Sequence, residues 1–176
     1  TGIGASSGYF TCDRWKITTG NTAGRLTMTQ DSSAPSGTGL ANSIKLDCTT
    51  ADTSIAADEL TIIGQSIEGQ NLQTVQKGTS SAVPITVSFY AKANASATYV
   101  AELFDHDNTR NNTRAFTVGT DWARVELTFI PDTTGTLDDD NAASLTFQIW
   151  LHAGSTYSGG TFSDNTWQSV TAANRY

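Results

Sequence analysis

The chain has 176 residues, of which 38% are hydrophobic and 9% aromatic, enough for one domain with a substantial core and cramped for two. Seventeen acidic residues against ten basic ones give a formal net charge of −7. With no cluster of Lys and Arg, that balance argues against a nucleic-acid binder and an anionic membrane surface, both of which need concentrated cations. No apolar run approaches the ~20 residues of a bilayer span, and no secretory leader is read at the head of the sequence.

Residues 1–8 carry three Gly and two Ser and read as a linker or entering arm. Tyr9–Thr18 is strand-like and holds Cys12 and Trp15. Arg25–Gln30 alternates with Leu26 and Met28 on one face, and Asp31–Gly39 is dense in turn residues. Ser43–Thr49 alternates through Ile44, Leu46 and Cys48. Glu59–Glu68 is rich in β-branched residues but less regular, with Ile62 and Ile63 on opposite faces and Gln65 expected as a half-buried hydrogen-bonding group. Gly69–Lys77 has room for one short helical turn.

Pro84–Phe104 is the most regular stretch. Ile85, Val87, Phe89 and Ala91 fall on one side, Thr86, Ser88, Tyr90 and Lys92 on the other, and the turn-rich Asn94–Ala97 precedes a second strand. A period of two marks a strand with one buried face, so this pair is expected to form a hairpin or near-hairpin at the centre of a sheet. Asp105–Asn112 reads as an exposed polar connection and Arg114–Val118 as a short strand. Trp122–Ile130 and Leu145–Leu151 alternate cleanly, the latter with Leu145, Phe147, Ile149 and Leu151 inward and Gln148 and Trp150 outward. Gly154–Tyr176 is loop-like.

About nine strands, little or no helix, uneven connections and no βαβ rhythm predict an all-β fold. The expected architecture is a single antiparallel two-sheet β-sandwich over residues 9–176, of jelly-roll type rather than an up-and-down barrel. Cys12 and Cys48 are too few for a disulfide scaffold and match no zinc spacing. Cys48, on the apolar side of its strand, is expected as a buried thiol; a bridge to Cys12 stays open if their strands are neighbours.

The candidate chemistry is modest. Trp150, with Gln148 and His152, lies on the non-core side of its strand, as Tyr90 does on its own. On a concave sheet face, an aromatic ring flanked by amide and imidazole groups would hold a sugar; under a loop or at an interface the same rings are equally favoured. Asp105, Asp107, Asp138 and Asp140 offer oxygen ligands of the kind calcium takes, but they match no EF-hand loop, and solvated acidic loops have the same composition. A glycosidase pair needs carboxyl groups roughly 5–9 Å apart across one groove; Glu102 and Glu126 sit on strands with no spacing that links them and are more simply surface strand charges. There is no nucleophile elbow near His106 or His152 and no Gly-rich phosphate loop, so no enzyme activity and no cofactor beyond a candidate calcium ion is expected.

Several ordered blocks carry a resemblance. Tyr9–Trp15, Ile44–Asp52, Gln65–Leu72, Val87–Ala93, Phe129–Gly135 and Leu145–Leu151 together resemble structural proteins of tailed phages: fibre, minor tail or head-decoration components. Their jelly-roll domain is similar to the carbohydrate-binding modules of polysaccharide-degrading enzymes. The resemblance implies a non-enzymatic protein at the virion surface, made in the host cytoplasm. It further implies a homo-oligomer, a trimer as in many phage fibres, meeting other virion proteins and a host-surface glycan, without nucleic acid or membrane insertion. Such domains usually continue into a closing strand, whereas this sequence ends at Asn174-Arg175-Tyr176. The alternatives are a glycan-binding module of a secreted polysaccharide-degrading enzyme and, third, a jelly-roll enzyme that cleaves glycans.

Overall fold

The computed structural model describes residues 2–3, 6–10 and 12–176. Thr1, Gly4 and Ala5 of the expected arm, and Thr11, lie outside the described residues. The strands in chain order are β1 (Gly2–Ile3), β2 (Gly8–Tyr9), β3 (Lys16–Gly20), β4 (Arg25–Asp31), β5 (Ser43–Thr50), β6 (Leu60–Glu68), β7 (Ile85–Ala91), β8 (Ala97–Asp105), β9 (Arg110–Val118), β10 (Ala123–Phe129), β11 (Ala143–Ala153) and β12 (Gln168–Ser169). Among the described residues the only α-helix is the single turn α1 (Ser155–Ser158), and no helix is long and apolar enough to cross a membrane. Among the described residues these strands pair antiparallel, as expected, and one isolated parallel bridge joins Thr113 and Asp164.

One layer is a seven-stranded sheet in the order β12-β9-β8-β11-β6-β3-β2. The ribbons β1-β4-β5 and β10-β7 pack over its inner face. Between the layers, Ala101, Leu103, Leu127, Phe129 and Phe147 form one cluster, and Ile17, Met28 and Ile63 form a second. Trp15 and Ile149 touch both. The inward residues of β7, β10 and β11 are those their alternation marks, because a strand with one face on a core must place every second side chain there.

Three expectations are corrected. Pro84–Phe104 is not a hairpin: among the described residues β7 pairs only with β10, whereas β8 pairs with β9 and β11 in the other layer. Residues 92–96 therefore cross between layers. Arg110–Asn112, read as part of an exposed connection, opens β9, and Asn111, Asn112 and the following Thr113 are fully buried. Cys48 is exposed, and both Cys12 and Cys48 are free thiols; β5 has β4 as its one strand partner and its last residues face solvent. The 3-10 turns Gly69–Asn71 and Gln73–Val75 fill the place of the expected helical turn.

A buried charge network ties the loops to the end of β8. Lys77 lies between Asp105 and Asp132, and Arg110 forks onto Asp132. Gly78 and Gly135, both at positive φ, let the two loop segments touch, since a Cβ on Gly78 would sit 2.5 Å from the Thr136 nitrogen.

Candidate functional site

The outer face of the seven-stranded sheet is built in rungs. Register aligns Lys16, Gly64, Gln148, Glu102 and Thr113 across β3, β6, β11, β8 and β9. The neighbouring rung is Ser66, Thr146, Phe104 and Asn111; on the other side lie Thr18, Ile62, Trp150 and Val100.

The C-terminal segment covers part of this face. Tyr157, Phe162 and Tyr176 pack on Ile62, Val100 and Trp150. Beneath them Glu102 has no exposed surface, and its oxygens accept hydrogen bonds from Asn111 Nδ2 (2.8 Å), Gln148 Nε2 (2.5 Å), Trp150 Nε1 (2.7 Å), and Arg175 Nε and Nη2 (2.9 Å each). A buried carboxylate needs this saturation, because desolvation is otherwise uncompensated. The Arg175 guanidinium lies 4.8 Å from the centre of the Trp150 ring and 5.0 Å from that of Phe104, within cation–π range.

Beyond the cover the face is open and polar. The Ser66 and Thr146 hydroxyls are 3.1 Å apart, and His106 Nε2 is 2.8 Å from Thr146 Oγ1. The Phe104 and His106 rings meet edge-on at 4.8 Å. Gly64 is buried and closely flanked by its neighbours: a Cβ there would stand 3.1 Å from that of Gln148 and 3.2 Å from Thr146 Cγ2. Partial burial lowers the His106 pKa below its ordinary value; Arg175 acts the same way, and Asp107 and Asp105 oppose it. At neutral pH the imidazole is therefore neutral, with one donor and one acceptor nitrogen.

The four residues singled out for sugar contact do not form one site, although Gln148 and Trp150 meet at Glu102. Trp150 is fully buried under the tail. Gln148 is half-buried and borders the open strip. His152 stands opposite Thr61, with Nε2 3.4 Å from Glu59 Oε2. Tyr90 is on the outer face of the β7–β10 ribbon, in the other layer. Glu102 and Glu126 are separated in the same way, Glu126 pairing with Arg124 on that ribbon's exposed face.

Three of the carboxylates considered for calcium have protein partners. Asp105 is buried and engaged by Lys77 and Asn108, Asp107 accepts from the Asp138 amide, and Asp140 accepts from the Ala142 amide. Among the described residues no group of three or more His, Cys, Asp or Glu side chains could hold a metal ion. Sequence reasoning missed Ser66, Phe104 and Thr146 as members of the outer strip and Arg175 as the partner of Glu102. The one available signal was Glu102 itself, a charge set among Val100, Ala101, Leu103 and Phe104.

No protein-family model matches the sequence, and no curated protein is significantly similar to it. A solved structure described as "CBM4 structure and function" superposes with a TM-score of 0.43 at 18% identity, covering 77% of this chain and 76% of that one. The fold assignment rests on the strand pairing and the two-layer packing themselves.

Proposed function

We propose that the domain is a non-enzymatic recognition module that binds a glycan along the open strip of the seven-stranded sheet. The observation that carries this reading is the continuous row of Ser66, Thr146 and His106, with Gln148 on the neighbouring rung. Hydroxyl, amide and neutral imidazole groups offer donors and acceptors to sugar hydroxyls, and the half-buried Phe104 gives the strip an apolar border. Glu102, with both oxygens occupied and no exposed surface, is equipped to fix Gln148 rather than to move a substrate proton.

Display on the surface of a tailed-phage particle, as a fibre, tail or head-decoration component, is the biological setting we favour. It rests on the order of the sequence blocks alone. A glycan-binding module of a secreted enzyme uses the same strip in another setting.

The test is a glycan array followed by calorimetry on the best ligand. Ser66→Ala and His106→Ala, both at exposed positions, should each weaken binding about tenfold, the effect of losing one hydrogen bond of ~1.4 kcal/mol. No glycan bound by the wild type, or unchanged affinity in both variants, would sink the reading.

A further inference from the structure

From the geometry around Lys77 we infer that the domain carries a self-formed isopeptide bond between Lys77 Nζ and Asp105 Cγ. Lys77 and Asp105 side chains are 1% and 0% exposed, and Nζ lies 2.5 Å from Asp105 Oδ2. Nζ also donates to the carbonyls of Thr134 (3.0 Å) and Gly135 (2.9 Å), and Asp132 Oδ2 is 3.2 Å away. The Trp167 ring stands 5.2 Å from Nζ. The inference is independent of glycan binding.

Each group has a part in the chemistry. One proton passes from the ammonium to Asp105 Oδ2, replacing a buried ion pair by a neutral amine and acid of the same net charge. The two remaining N–H groups match the two carbonyls of Thr134 and Gly135, which leaves the nitrogen lone pair for the Asp105 carboxyl carbon. As the N–C bond forms, charge develops on Oδ1, where the Asn108 amide (2.9 Å) and Nδ2 (3.2 Å) already donate. Asn108 Nδ2 also reaches Oδ2 (3.0 Å).

Asp132, held as a carboxylate by Arg110 and the Thr134 amide, takes a proton from the nitrogen and gives it to the departing Oδ2 hydroxyl. The Cγ–Oδ2 bond breaks, one water leaves, and Asp132 returns to its starting state. No oxidant, metal or co-reactant is consumed. The product closes residues 77–105 into a covalent loop that contains β7, from one layer, and all of β8, from the other, a tie that restricts the unfolded chain as a disulfide does.

Intact mass spectrometry of the denatured wild-type protein is decisive. The expected mass is about 18 Da, one water, below that of the sequence, with a branched tryptic peptide joining the segments that hold Lys77 and Asp105. Lys77→Arg and Asp105→Ala should restore the full mass expected for each variant, and Asp132→Asn should slow or abolish the loss. Wild-type protein of full sequence mass after prolonged incubation at neutral pH would overturn the inference, whatever the variants do.

Discussion

Removing the Arg175 side chain should leave Glu102 under the C-terminal segment with amide and indole donors but no cation. Both partners are shielded, at 16% and 0% side-chain exposure, so Arg175→Ala is expected to cost about 3 kcal/mol in urea unfolding, the scale of breaking a buried pair. Arg175→Lys should recover only part of this, because an ammonium cannot reproduce the fork. Glu102, read as a surface strand charge, was not legible as buried, and Trp150 was legible only as one of two alternatives, sugar contact or cover by a loop. Alternation tells which side of a strand a residue occupies, not what later folds over that side, and the covering residues Tyr157, Phe162 and Tyr176 come from a tail with no periodicity. Two side chains tie stability to pH. Because burial lowers the His106 pKa from 6.5, its neutral form stabilises the fold above pH 6.5, and that contribution fades as pH falls through the lower folded value; His106→Gln should flatten this part of a melting-temperature profile. Asp52, brought from 3.8 to about 2 first by the Ser54 amide and then by that of Ala23, contributes above pH 3.8. That contribution is lost as pH falls toward 2, and Asp52→Asn should remove the dependence.

At the scale of elements, β7, β10 and β11 were readable because one face of each meets the core and the other is wetter, so composition records the geometry. The partner of β7 was not readable. Asn94–Ala97 has hairpin composition, yet the chain uses it to change layers; turn residues specify a reversal without naming the sheet that receives the next strand. The beginning of β9 was hidden for a different reason: Asn111, Asn112 and Thr113 are polar but fully buried, with Asn111 donating to Glu102 and Asn165 supporting Asn112, so the usual link between polarity and exposure fails there. Close approach of backbones sets another constraint. A Cβ on Gly69 would lie 1.9 Å from the carbonyl oxygen of Asp138 and 2.5 Å from Ser144 Oγ. Gly69→Ala should therefore cost about 2 kcal/mol or more and raise amide exchange in residues 137–144, as measured by hydrogen exchange.

For the whole molecule, the antiparallel sandwich was legible and its use was not, because the same two layers offer two outer faces with different chemistry. The β7–β10 face, with Thr86, Ser88 and Tyr90 beside Arg124, Glu126 and Thr128, is exposed along its length. The seven-stranded face is covered in part by the C-terminal segment, and the hydroxyl and imidazole row lies outside that cover. A virion component should sediment as a stable homo-oligomer, whereas a strict monomer with micromolar affinity for one oligosaccharide would favour the module of a secreted enzyme. The most direct measurement is a backbone NMR titration of the intact domain with the strongest array ligand. Shifts concentrated at Gly64, Ser66, Thr146, Gln148 and His106 are expected; shifts confined to Thr86, Ser88, Tyr90 and Arg124 would contradict the assignment of recognition to the seven-stranded sheet.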